Sequence, residues 1–156
     1  MDNRVSGNPG TPAFRVDKYP FYLLNRASSR YNILIDARLR KIGLDIPYWR
    51  VLMILGEHAP RSISQIAEAA VINITTMMRI VQRMEKDGLV SSAPGKDDAR
   101  ITEVGLTATG ETRLAEARVI TAPVYEHVFK GFSERDFNRL TGWLDLIHDN
   151  LLTLKD

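Results

Sequence analysis

The 156-residue chain has no cysteine at all. That excludes disulfides, thiolate zinc sites and thiol redox sensing, and it suits a reducing compartment. The longest aliphatic run, residues 51–55, falls far short of the roughly 20 residues a membrane helix needs, and the N-terminus lacks a signal peptide's apolar core. No membrane partner is expected, and the expected location is the cytoplasm. Charge of one sign is scarce too: 21 Lys and Arg against 19 Asp and Glu leave a net +2. Any binding to nucleic acid must therefore come from a local basic patch. Catalytic signatures are also missing. There is no G-x-S-x-G, H-E-x-x-H, Walker loop or dinucleotide fingerprint, and His58, His127 and His148 have no ligand spacing. The chain reads as non-enzymatic, with no metal or other cofactor.

What is present suffices for one core, since 44% of the residues are hydrophobic and 26% charged. Residues 1–13, dominated by Asn, Ser, Gly, Pro and Thr, are expected to form a flexible arm, and residues 14–156 a single domain.

The stretch 62–110 organises that domain. Ser62-Ile63-Ser64-Gln65 has the form of a capping box, so a helix starts there, with Ile63, Ile66, Ala67 and Ala70 on its apolar side. Only Val71 and Ile72 separate it from Asn73, which caps a second helix over residues 73–87. So short a link makes the two helices cross steeply, as in a helix-turn-helix. The second helix has Ile74, Met77, Ile80, Val81 and Met84 as a buried stripe at helical period. Its other face carries Thr75, Thr76, Arg79, Gln82, Arg83 and Lys86. Arginine forks, Thr methyls and hydroxyls suit a major groove, although a charged stripe is also what a solvated helix face looks like. Asp87-Gly88 predicts a left-handed helix end, and residues 89–93 a strand. The Pro94-Gly95 turn carries Lys96 and Arg100, and a second strand follows over residues 101–106. This hairpin reads as a wing whose tip, Lys96 and Arg100, suits a minor groove.

Longer helices flank this unit. The first is expected over about 17–42, with Pro20 in its first turn and Leu24, Ala27, Tyr31, Leu34, Ile35 and Leu39 apolar. Beside them run Asn25, Ser28 and Asn32, which are either solvated surface or the wall of a cleft. Asp45 and Pro47 start a helix reaching Glu57. Thr107 caps a helix that Pro123 should kink and Gly131 should end. Ser133 and Asp136 cap the last helix, with Phe132 and Phe137 placed as a hydrophobic staple. That helix carries Leu140, Leu144, Ile147 and Leu151, with Trp143 beside them, and has little left to cover it within one chain. The stripe therefore calls for a second copy.

The run Arg83-Met84-Glu85-Lys86-Asp87-Gly88-Leu89-Val90, the wing segment Asp98-Ala99-Arg100 and Leu106-Thr107-Ala108-Thr109-Gly110 together resemble the MarR family of bacterial transcriptional regulators, as do Tyr48-Trp49-Arg50-Val51-Leu52 and the last helix. Thr102 and Glu103 depart from the family's basic or small residues, and Glu103 would repel phosphates if it faced DNA. The fold so implied is mostly α with a small β-hairpin wing. A winged helix-turn-helix lobe spans about 45–106, and helices over about 17–42 and 107–154 form a dimerisation lobe. The function implied is a homodimeric, sequence-specific DNA-binding regulator, more in the manner of a repressor, on a pseudo-palindromic operator with half-sites about one helical turn apart. Thr75, Thr76 and Arg79 are expected to read bases, Arg83 and Asn73 to hold phosphates, and Lys96 and Arg100 to enter the minor groove. The resemblance also implies a small, aromatic or phenolic effector in a cleft, with Asn25, Ser28 and Asn32 on one wall. Arg50 would then anchor a carboxylate, or else pair with an acidic neighbour. The alternative is a winged helix that serves only protein interaction.

Overall fold

The computed structural model describes residues 2–154. The first residue of the expected arm and the last two of the expected domain lie outside them. In chain order the elements are α1 (Asn3–Ser6), α2 (Pro20–Leu39), α3 (Ile46–Glu57), β1 (Arg61–Ser62), α4 (Ile63–Ala70), α5 (Ile74–Lys86), β2 (Val90–Pro94), β3 (Thr102–Leu106), α6 (Ala108–Val128) and α7 (Glu134–Thr153). They form two compact units, one up to Thr121 and one from Ala122 onward.

The N-terminal segment, expected as an arm, carries local structure. Asp2 caps the single turn α1, and Arg15 N–H donates to the Ser6 carbonyl at 2.8 Å, so the segment folds back on itself with Ser6 buried. Its Asn, Ser and Thr side chains bond to nearby backbone, which composition counts only as polarity. The first long helix is also shorter than expected. Pro20 disfavours helical geometry in Tyr19, which stays extended, so α2 starts at Pro20 behind a separate 3-10 turn, Val16–Lys18. It ends at Leu39, and a 3-10 turn over Arg40–Ile42 leads to Gly43 at φ 70°, where a side chain would be strained.

Asp45 then caps α3 by accepting from the Tyr48 N–H at 2.8 Å. Val51, Leu52 and Leu55 of α3 are buried with Ile66 and Ala70 of α4, Met77, Val81 and Met84 of α5, and Val104 of β3. This is the core of the winged unit, and α3 is its central rod.

The sheet has three strands in the order β1-β3-β2, not the two of the expected hairpin. β1 escaped notice because it is two residues long and its second, Ser62, also caps α4 in the expected box with Gln65. Two residues cannot show an alternation. The motif that follows β3 has a packing role. Thr107 Oγ1 accepts from the Gly110 N–H at 3.0 Å, opening α6, and donates to the Gly88 carbonyl at 2.6 Å. A Cβ on Gly110 would overlap the Leu89 carbonyl oxygen, so only glycine lets α6 lie this close to the end of the winged unit.

In the second unit α6 continues as helix through Pro123 to Val128. Gly131, at φ 90°, turns the chain, and Ser133 with Asp136 forms the expected capping box of α7. The staple is built differently from the expected pair. Phe132 and Phe137 both pack against Phe129, at ring-centroid distances of 5.6 and 5.1 Å. No residue of α7 is buried within the single chain, and Trp143 is 59% exposed.

Candidate nucleic-acid interface

Helix α5 begins at Asn73, whose side-chain oxygen accepts from the Thr76 N–H at 2.8 Å. That oxygen is committed to the cap, which leaves the side-chain NH₂ as a donor. Met77, Ile80, Val81 and Met84 are buried as the period predicts, but Ile74 is 51% exposed. The expected buried stripe is thus one residue too long, because the first turn of α5 projects beyond the core. Thr75, Thr76, Arg79, Gln82, Arg83 and Lys86 are all exposed. They share one polar surface along the rod.

The link into α5 is unusual. Val71 sits at φ 55°, ψ 47°, left-handed, and caps α4 by donating to the Ala67 and Glu68 carbonyls. A β-branched residue rarely takes this conformation. The turn thus has helix-turn-helix geometry without the glycine that usually marks it.

Among the described residues no carboxylate pairs with Arg79, whose guanidinium is left to solvent at mid-face. Arg83 is held from behind. Its Cζ lies 5.4 Å from the centre of the Tyr48 ring, and the Tyr48 hydroxyl donates to Asp87 at 2.8 Å. Burial, and then that hydrogen bond to a carboxylate, push the Tyr48 hydroxyl up to about 12.

At the wing, Gly95 N–H donates to the Ile101 carbonyl at 2.7 Å and closes the loop. Lys96 is exposed beyond it. Arg100 is 90% exposed and grips Asp98 with two parallel hydrogen bonds, 3.0 and 2.9 Å. That bidentate contact holds the Asp98 carboxyl below the usual carboxylate range. It also fixes the direction of a guanidinium whose remaining N–H groups stay free. Glu103 is half-buried in mid-sheet, paired across to Ser62 and Ala93, not at the wing tip.

Of the residues expected to line a cleft, Asn25 and Ser28 are exposed and Asn32 is half-buried, and Arg50 lines a cavity of about 430 Å³ with Trp49, Met53, Ile54, Ala69, Ala70 and Val71. Arg50 pairs with no acidic neighbour among the described residues; its nearest acceptor is the Ala70 carbonyl at 3.5 Å, a weak contact. In the same wall the Trp49 indole N–H is buried without an acceptor. Sequence reasoning treated neither Trp49 nor Tyr48 as functional. Tyr48 and Trp49 stand in the sequence only within the segment that carries the family resemblance, and nothing about Trp49 signals an unpaired donor.

Two packed helices joined by a three-residue link, an exposed Thr/Arg face on the second and a hairpin wing define a winged helix-turn-helix of the DNA-binding class. Residues 44–102 match the model of the MarR family. The chain is 39% identical over 147 residues to the HTH-type transcriptional repressor IacR of Pseudomonas putida, covering 94% of this chain and 88% of that one. Its fold resembles that of a MarR-family transcriptional regulator from Silicibacter pomeroyi, with TM-score 0.79, 22% identity, and 91% and 96% of the two chains covered. CouR from Rhodococcus jostii RHA1, solved bound to p-coumaroyl-CoA, matches with TM-score 0.79 at 19% identity, over 85% of this chain and 94% of that one. The repressor CouR bound to a 23-mer DNA duplex matches with TM-score 0.75 at 21% identity, over the same shares of the two chains. The chain belongs to the MarR family of transcriptional regulators. It is a DNA-binding regulator and not an enzyme. No helix among the described residues is long and apolar enough to cross a membrane.

Proposed function

We propose that this protein is a homodimeric repressor that binds a pseudo-palindromic operator and releases it when a small aromatic acid binds, acting in the cytoplasm where its DNA lies. The observation that carries the reading is the unpaired Arg79, exposed between Thr75, Thr76 and Gln82 on the recognition helix α5. In this reading Thr75, Thr76 and Arg79 meet base edges. The Asn73 amide, Arg83, Lys96 and Arg100 meet phosphates or the minor groove.

Two copies are inferred from side chains that one copy leaves uncovered. On α7 these are Trp143, Leu144 and Leu151, and separately on α2 they are Phe21, Leu24 and Leu34. A two-fold pair of winged units would then face successive major grooves. For the effector, the Arg50 cavity is the better-supported site, because a carboxylate there meets a guanidinium with no ion-pair partner among the described residues, beside the Trp49 indole and the apolar side chains of Met53, Ile54 and Val71. Asn25, Ser28 and Asn32 remain proposed only as an outer wall. The repressor role of IacR agrees with the operator reading, and the aromatic acyl group of the p-coumaroyl-CoA bound to CouR agrees with an aromatic effector. The effector acts only through its different affinities for the DNA-bound and released states.

The test is binding of purified protein to fragments upstream of its own gene at two salt concentrations, beside Arg79→Ala. A localised footprint, with affinity lost by about 1–3 kcal/mol and specificity relaxed in the variant, supports the operator reading. Aromatic carboxylic acids are then added, and release that Arg50→Ala abolishes supports the effector site. Weak, unlocalised binding indifferent to Arg79 would favour the protein-interaction reading.

A further inference from the structure

Recognition by α5 depends on more than its exposed face, because a groove-reading helix must be held at a fixed tilt. The N-terminal end of α5 is fixed by the Asn73 cap and the tight turn before it. At the other end the chain leaves through Asp87 and Gly88, and Gly88, at φ 70°, has open space where a Cβ would stand. Just beyond the helix the Gly88 carbonyl is tied by the Thr107 hydroxyl at 2.6 Å, and the last turn itself is held by one side chain from a distant element, Tyr48 of α3, which is 39 residues away in sequence.

Tyr48 is 9% exposed, its ring is anchored in the core, and its hydroxyl reaches out to the carboxylate of Asp87 at 2.8 Å. Arg83, one helical turn before Asp87, lies over the same ring. A single aromatic side chain thus touches two consecutive turns on one side of α5, by a charge-assisted hydrogen bond and a cation–π contact. Neither Arg83 nor Asp87 forms an ion pair with a described residue.

We propose that Tyr48 is a positioning residue for operator recognition: it braces the C-terminal end of the recognition helix through Asp87 and Arg83, and so sets the angle at which Thr75, Thr76 and Arg79 enter the groove. It does so without touching DNA. Burial and the bond to Asp87 push the hydroxyl up to about 12, so it stays a protonated donor throughout the physiological range.

The proposal rests on the operator-reading function. The experiment compares affinity for the footprinted operator with affinity for a scrambled duplex of equal length, at several salt concentrations. It uses the wild-type protein, Tyr48→Phe, Asp87→Ala and Asp87→Asn. Tyr48→Phe removes only the hydroxyl, and it is expected to lower the operator-to-scrambled ratio by about tenfold, the scale of one hydrogen bond to a charged acceptor. The salt slope should not change, because no cation is lost. Asp87→Ala, at an exposed position, should lower the ratio equally, and the double variant should be no worse than either single one. Asp87→Asn, which keeps an acceptor oxygen, should recover most of the ratio.

An unchanged ratio in Tyr48→Phe overturns the brace while leaving the operator reading intact. So does an equal loss of operator and scrambled binding, which is what simple loss of folded protein produces. If Tyr48→Phe does not fold, Asp87→Ala decides by the same criterion. A wild-type protein that shows no preference for operator overturns both readings.

Discussion

Arg79 and Arg83 are four positions apart on one helix and both exposed, yet their surroundings differ. Among the described residues Arg79 has no carboxylate partner, while Arg83 lies on Tyr48, so in the proposed reading the first is available for base edges and the second already has a fixed direction. Val71 is left-handed and 89% exposed at the helix-turn-helix corner. A branched side chain in that region costs about 1–2 kcal/mol, and so exposed a residue contributes little burial in return. Val71→Gly should therefore stabilise the chain by about 0.5–1 kcal/mol, the relief of strain being partly offset by the greater freedom of glycine in the unfolded chain. Chemical denaturation checks this directly. A lower midpoint for the variant would mean that Val71 contributes contacts the single chain does not show.

Helix ends are where most of the element-level information lies. Asp45, Ser62, Asn73, Thr107 and Ser133 each cap the helix that follows them, and all five do so through a side-chain oxygen three residues before the bonded N–H. The Ser133 box has a pH consequence. The Ser133 hydroxyl and N–H donate to Asp136, at 2.6 and 3.1 Å, and hold its carboxyl below the usual carboxylate range. A carboxyl whose folded pKa is depressed stabilises the fold fully above its unfolded value, near 3.9, and loses that contribution as the pH falls from there through the folded value. The melting-temperature gap between wild type and Asp136→Asn should thus be constant from about pH 7 to 5 and narrow below about pH 4. A gap that stays constant down to pH 3 would show that the carboxylate charge has no part in the cap.

At the scale of the whole molecule, the single chain leaves α7 without one buried residue although it carries Trp143, Leu144, Leu146 and Leu151. A 20-residue amphipathic helix in that state wants a partner surface. Replacing Leu144 and Leu151 together by Asp should convert a particle of twice the chain mass into one of single mass, measured by sedimentation equilibrium. Operator affinity should fall by about a hundredfold or more, since each winged unit would then have to bind its half-site alone. A wild-type protein that sediments as a monomer would remove the basis for a palindromic operator.

Local chemistry along the chain already determined most of the architecture. Periodicity placed Met77, Ile80, Val81 and Met84 inside and Thr75, Thr76 and Arg79 outside, and capping residues marked where α3, α4, α5, α6 and α7 begin. Such signals are legible because a helix relates residues only three or four apart. Tertiary structure alone decided the rest. The two-residue β1 exists only because β3 lies beside it, and Ile74 is exposed only because the core ends a turn later. The cavity that Arg50 lines with residues of α3 and α4, and the meeting of Tyr48 with Arg83 and Asp87, depend on how α3, α4 and α5 are placed. Contacts between residues tens of positions apart are selected by packing of the whole core, and no local spacing in the chain encodes them.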